Sequence, residues 1–351
     1  NSLGFITRRV GFDSLFIPRS KLPREPHEVA AGKVALLSQS GAFMITRASA
    51  LDWLCPAYQL SIGNQVDARV SHFMEALLED EALTTLALYI EGFKPGDGTR
   101  LLELTRLAVD QGRDVVAYRA GRSPLGRSAA MGHTASIAGE YRLFAELMAD
   151  AGALVAHTFD DFSDLVTLSA TLRDKEIRGP RVALMSNAGF ESVGMADNHQ
   201  GLDPVALTPA TTSRLARALS AAGIAHLVNV HNPLDVTPMA SDALLEQLMT
   251  ALMEDEGVDL GLFGMVPLTP MVQTLPHGAS DKDVFDAPGG FARRVIALAQ
   301  RSSKPLVVVL DGGRMYDPMA ALMQAGDVPV FRSGDRAIKA LARYVGARLG
   351  I

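Results

Sequence analysis

An internal repeat constrains this chain more than any other feature. The run Val34-Ala35-Leu36-Leu37-Ser38-Gln39-Ser40-Gly41 recurs as Val182-Ala183-Leu184-Met185-Ser186-Asn187-Ala188-Gly189, an offset of 148 residues. Each copy is an apolar run of strand length, a turn of small and polar residues ending in glycine, and then a helical pattern. Two further pairs keep the same order: 258–265 resembles 85–92, and 304–313 resembles 113–121. Solenoid repeats run to about 20–50 residues, so a period this long describes two domains duplicated in tandem.

The pattern around the first copy supplies the architecture. Strand-like runs at 33–38, 57–61, 85–90, 114–119 and 153–156 alternate with helical patterns at 41–53, 70–78, 99–110 and 140–150. That alternation predicts an α/β chain with parallel sheets and helices on both faces. The 351 residues exceed what one core usually organises. The expected divisions are an extended leader at 1–31, carrying Pro18, Pro23 and Pro26, a domain at 32–176 and a second at 177–351. The chain opens at Asn1 without a methionine, which suggests a fragment or a processed chain.

Composition removes several classes of function. A net charge of −6 offers no basic field to collect phosphates, so no nucleic-acid partner is expected. The single cysteine, Cys55, excludes an internal disulfide and any multi-cysteine metal site. His27, His72, His157, His199, His226, His231 and His277 show no metal-ligand spacing, so the expected metal set is none. Without an apolar run of about 18 residues no membrane span is expected. The N-terminus lacks a signal-peptide pattern, and the expected location is the cytoplasm.

Chemistry is expected at three places. The first is 121–139, read as a structureless loop of small residues with Arg122, Arg127 and one histidine, His133. Connections between strand and helix usually take about 2–6 residues, and longer ones tend to be functional. A neutral imidazole can attack phosphorus. The second copy passes from Asp311-Gly312-Gly313 almost directly to a helix near Met315, so the fold itself does not require this loop. The second place is the pair of strand–turn–helix corners. Gln39, Ser40 and Gly41 in one copy, and Asn187, Ala188 and Gly189 in the other, would aim helix N-termini at an anion. The third is Glu91, at the carboxyl end of a central strand, where an acid within reach of His133 would fix the imidazole tautomer. Bland readings stay open for each from spacing alone: a surface loop, glycines that merely permit turns, and an exposed strand-end carboxylate.

As an ordered set these residues resemble a known family. Ser38-Gln39-Ser40-Gly41, Gly63-Asn64 with Asp67, Tyr89-Ile90-Glu91-Gly92, Gly132-His133-Thr134-Ala135-Ser136, Asn187-Ala188-Gly189 and Asn232-Pro233-Leu234-Asp235 occur in the order seen in NDP-forming acyl-CoA synthetases. These are relatives of ADP-forming acetyl-CoA synthetase and succinyl-CoA synthetase. The resemblance implies two tandem flavodoxin-like, succinyl-CoA synthetase-like domains. It implies a phosphoryl group carried on His133, with Glu91 orienting that histidine and the two corners binding the phosphate. The chain departs from the family pattern at Gly132, where serine is usual, and at Ala135 and Phe190, where glycine is.

The implied activity is a ligase reaction, acid + CoA + ATP to acyl-CoA + ADP + phosphate, through an acyl phosphate and a phosphohistidine. Coenzyme A, ATP/ADP and Mg are implied as substrates and metal. The implied partners are a carboxylic acid, a CoA-binding domain, and an ATP-grasp domain or subunit, none of whose signatures stands in this chain. The acid, the nucleotide preference and the oligomeric state stay open. The alternative reading is a non-catalytic, two-lobed small-molecule-binding protein or a regulatory CoA-ligase-like protein.

Overall fold

A computed structural model describes residues 2–23, 31–133, 141–280 and 282–351. The chain divides into two units, each contiguous in sequence: Asn1–Arg173 and Asp174–Ile351.

In the first unit the strands are β1 (Gly4–Thr7), β2 (Phe12–Asp13), β3 (Val34–Ser38), β4 (Tyr58–Ser61), β5 (Thr85–Ile90), β6 (Asp114–Arg119) and β7 (Leu154–Ala156). They form one sheet in the order β2-β1-β4-β3-β5-β6-β7. From β4 to β7 every pairing is parallel, and the order is the 2-1-3-4-5 of flavodoxin-like folds. Residues 4–13, expected as an extended surface leader, instead add β1 and β2 antiparallel at the β4 edge. Such short runs carry too little alternation to be recognised as strands before their partner is known.

The helices are α1 (Gly41–Ala50), α2 (Val70–Leu78), α3 (Asp97–Asp110), α4 (Pro124–His133), α5 (Tyr141–Asp150) and α6 (Phe159–Leu172). β3 and β5 are buried along their whole length, as central strands covered on both faces must be. Ala35, Leu37, Leu86, Leu88, Ile90 and Val115 pack with Met74 and Leu77 of α2, Leu101 and Leu104 of α3, and Phe144 and Met148 of α5. Each large side chain buried there is worth roughly 1.5–3 kcal/mol. The helices α1 and α6 cover the opposite face, which includes Leu36, Ala87 and Tyr89.

The second unit repeats this plan. Its strands are β8 (Arg181–Ser186), β9 (Asp203–Pro204), β10 (Leu234–Asp235), β11 (Leu260–Met265), β12 (Leu306–Leu310) and β13 (Val330–Phe331). Its helices are α7 (Gly189–Asp197), α8 (Pro209–Ala221), α9 (Asp242–Met253), α10 (Phe291–Arg301), α11 (Asp317–Ala325) and α12 (Gly334–Leu349). The order is β10-β8-β11-β12-β13, all parallel, with β9 on the β10 side of β8. The second strand position is thus split, β9 pairing with the start of β8 and β10 with its end. Asn232 fills the gap between them. Its Oδ1 accepts from Leu184 N at 2.8 Å, and its Nδ2 donates to the carbonyls of Val182 at 2.8 Å and Val205 at 2.9 Å. One side chain therefore replaces ladder bonds that would otherwise be lost in a buried strand.

Candidate functional site

In a sheet ordered 2-1-3-4-5, ligands gather outside the carboxyl ends of strands 1 and 3, where the order reverses. In the first unit those strands are β3 and β5, and the expected residues Gln39, Ser40, Gly41 and Glu91 all lie there. Gln39 N donates to Tyr89 O at 3.1 Å, continuing the ladder past the strand end. Its Oε1 accepts from the backbone amides of Glu91 and, at 3.0 Å, of Gly92. The Gln39 side chain, expected at the phosphate, is thus committed to the neighbouring turn.

Ser40 is the N-cap of α1, its hydroxyl accepting from Phe43 N at 3.2 Å. Ser38 Oγ holds the corner by donating to Ser40 O at 2.7 Å. Gly41 is required by space: a Cβ there would stand 2.5 Å from Leu3 Cβ, on the segment leading into β1. The first amides of a helix have no intrahelical acceptor, and the helix end carries about half a positive charge. The corner is therefore suited to an anion, presented by backbone rather than by the Gln39 amide.

Glu91 is half-buried on the α1 and α6 side, two residues after Tyr89. The Tyr89 phenol is held well above its ordinary value by burial, then by the adjacent Glu91 charge. It stays protonated, so beside the carboxylate it could act only as a donor. Tyr89 is fixed by stacking on Phe43, with centroids 4.1 Å apart, and on Tyr118, at 5.6 Å and 7° between planes.

Gln65 reaches the same turn and was not singled out in the sequence. Its Nε2 donates to Gly92 O at 2.9 Å, and its Oε1 accepts from Val70 N at 2.9 Å, at the start of α2. It is buried with φ +54°, in the left-handed region that glycine normally fills. Arg69 of the same loop donates to Pro95 O at 3.1 Å. The signal was the Gly63-Asn64 turn, whose left-handed corner brings the next residue round to face β5.

The stretch expected as a structureless loop at 121–139 is in part a helix, α4. The correction has a local cause. Ser123 caps the helix, its Oγ accepting from Gly126 N at 3.0 Å and its carbonyl from Arg127 N at 2.8 Å. Pro124 at the first helical position has its φ already set and no amide to lose. Ser-Pro followed by Leu, Arg, Ala and Ala is a helix-start signal hidden by the density of small residues. His133 is the last residue of α4. Its side chain and residues 134–140, including Thr134, Ala135 and Ser136, lie outside the described residues.

In the second unit the corner holds Asn187, Ala188 and Gly189. Asn187 is fully buried at the position of Gln39. Its Oδ1 accepts from Val266 N at 2.8 Å, and its Nδ2 donates to Val266 O and Thr269 Oγ1, each at 3.1 Å. Val266 follows β11 as Glu91 follows β5. Ala188 N donates to Ser186 Oγ at 3.1 Å, and that hydroxyl donates to Glu191 Oε2 at 2.6 Å. Glu191 is 3% exposed. Burial pushes its carboxyl up to about 7; the Ser186 bond opposes this and the Asp311 charge adds to it. A Cβ on Gly264 would lie 1.8 Å from Glu191 Oε2, so glycine on β11 provides the space this carboxyl occupies. Among the described residues no cluster of three His, Cys, Asp or Glu side chains could hold a metal ion. Among the same residues no helix is long and apolar enough to cross a membrane.

Fold and site define a tandem flavodoxin-like protein with a strand–turn–helix corner at the switch point of each unit. Residues 31–169 match the family described as the succinyl-CoA ligase like flavodoxin domain. The chain is 27% identical over 336 residues to the alpha subunit of ADP-forming acetate–CoA ligase II from Pyrococcus furiosus, covering 94% of this chain and 66% of that one. It is 26% identical over 349 residues to ADP-forming acetate–CoA ligase I from Archaeoglobus fulgidus, covering 97% and 44%. The dinucleotide-forming acetyl-coenzyme A synthetase 1 of Ca. Korarchaeum cryptofilum, in complex with phosphate and ADP, superposes with a TM-score of 0.81 at 22% identity, over 99% of this chain and 70% of that one. That last likeness concerns the fold. Over nearly its whole length the chain is similar to ADP-forming acetate–CoA ligases, and it spans less than two thirds of the length of the two curated relatives.

Proposed function

We propose that this chain is the core of an NDP-forming acyl-CoA synthetase. The observation that carries the reading is the first unit's switch point, where Gln39 ties the N-capped corner of α1 to the turn bearing Glu91. The names of the relatives supply the substrates: a carboxylic acid, CoA and ATP, with ADP as product.

A ring nitrogen of His133 attacks the terminal phosphorus of ATP, the bond to the bridging oxygen breaks, and ADP leaves. The acid's carboxylate then attacks the phosphohistidine, giving an acyl phosphate and free imidazole. The CoA thiol, losing its proton, attacks the acyl carbon; phosphate leaves, and acyl-CoA remains. Magnesium would arrive with the nucleotide, on the parts of the protein that bind ATP and CoA. Glu91 would accept from the ring nitrogen that does not attack, and the corner at Ser40 and Gly41 would receive the phosphoryl group on backbone amides. The second corner, Asn187 to Gly189, would be the other anion site.

The test uses the full-length protein incubated with ATP labelled at the terminal phosphate. Acid-labile, base-stable label in wild type, lost in His133→Ala, supports the reading. Equal labelling of wild type and His133→Ala removes His133 as the carrier.

A further inference from the structure

The geometry points to Gln65 as a positioning residue that, with Gln39, clamps the Glu91–Gly92 turn from both sides and thereby sets the Glu91 carboxylate. This rests on the proposed role of Glu91.

Three backbone groups fix how the chain turns at that acid: the amides of Glu91 and Gly92 and the carbonyl of Gly92. Gln39, arriving from β3, accepts both amides through one oxygen. Gln65, arriving from β4, supplies the remaining donor to the carbonyl at 2.9 Å. Both side chains are at least 95% buried, so neither contact is exchanged with water. Loss of either would leave buried backbone groups unpaired. Gln65 also holds a left-handed φ of +54°, which a long side chain adopts only when its surroundings over-determine it. Its two bonds, to Gly92 O and from Val70 N, are that determination.

In the second unit Asn187 serves the amide of Val266 and shares its carbonyl with Thr269 Oγ1, Thr274 Oγ1 donates to Pro267 O at 2.8 Å, and no carboxylate stands at the position of Glu91. Where the turn carries Glu91, the longer Gln39 spans two amides, and a second glutamine from another loop completes the set. Displacements near 1 Å in such a group cost about a hundredfold in rate.

The test is single-turnover labelling of the full-length protein by terminal-labelled ATP in wild type, Gln65→Met, Glu91→Gln and the double variant. Gln65→Met should slow labelling at least ~10-fold, and it should cause no further loss when Glu91 is already Gln. Wild-type labelling in Gln65→Met, or losses that multiply in the double variant, would overturn the clamp. Should Gln65→Met fail to fold, Gln65→Glu keeps an acceptor for Val70 N and sets a carboxyl oxygen against Gly92 O in place of the donor, and it takes the same readout. A wild type that takes no label refutes the phosphohistidine reading by itself. In that case hydrogen exchange at the Glu91 and Gly92 amides decides the clamp: faster exchange in Gln65→Met upholds it, and unchanged exchange overturns it.

Discussion

The side-chain oxygen of Gln39 accepts the backbone amide of Glu91, so the corner that begins α1 and the turn that ends β5 are one hydrogen-bonded piece. The same oxygen also accepts from Gly92 N. Replacing it with an apolar side chain leaves two backbone donors unpaired in a site only 5% exposed at Gln39. Gln39→Leu should lower stability by about 2–4 kcal/mol, while Gln39→Glu, which keeps an acceptor, should lose less. Urea midpoints of the three proteins check this, and equal midpoints for Leu and wild type would refute it.

Asn187 makes the corresponding connection in the second unit with both ends of its amide. Asn187→Ala removes an acceptor for Val266 N and a donor to Val266 O and Thr269 Oγ1. The expected cost is about 2–4 kcal/mol, with loosening centred on the loop after β11. Asn187→Asp retains the acceptor and loses the donors. Hydrogen exchange at Val266 N should therefore accelerate in Ala and stay slower in Asp.

Glu191 makes the second unit's stability depend on pH. Its carboxyl titrates near 7 when folded and near 4.5 when unfolded, chiefly because burial disfavours its charge. Between those values the folded unit binds more protons than the unfolded chain. Stability therefore falls as pH rises through that window and levels off above it, by about 3 kcal/mol in total from this one group. Glu191→Gln keeps an acceptor for the Ser186 hydroxyl and carries no charge. The variant should gain on wild type as pH is raised from 5 to 8, measured by urea unfolding of the second unit. A difference that stays constant across that range would contradict the argument.

The fold was legible because the duplication and the buried β3, β5, β8 and β11 runs are strong, local signals. Val70–Leu78 and Thr85–Ile90 stand where apolar spacing placed them. The helix α4 was hidden because glycine, serine and alanine dominate its run, and its start lies in the cap at Ser123. In the site, Gln39 and Glu91 were each legible as residues that follow a central strand, but their meeting in one corner was not. The role of the Gln39 side chain was not, because a side chain's choice between ligand and backbone depends on which loop lies opposite. Gln65 and Glu191 were missed for the same reason. A buried glutamine in a left-handed turn and a buried glutamate beneath a glycine look like surface polar residues until the opposing strand is in place.

Ser40 offers a graded test of the anion corner, because it acts on the helix end without touching the chemistry. Its hydroxyl satisfies Phe43 N at 3.2 Å and fixes where the first turn of α1 begins. Losing an N-cap typically costs about 1 kcal/mol, and the free amides of Gly41 and its successor remain in Ser40→Ala. If the phosphoryl group is received at this corner, the rate of labelling should fall roughly fivefold, since 1.4 kcal/mol corresponds to about tenfold. It should not vanish, as it should in His133→Ala. Stability should fall by the same small amount, so the rate is read at a temperature where both proteins are folded. A Ser40→Ala protein that labels at the wild-type rate despite a measurably frayed α1 would place the phosphoryl group away from this corner. Complete loss would make the hydroxyl itself a ligand, and backbone amides alone would not account for the site.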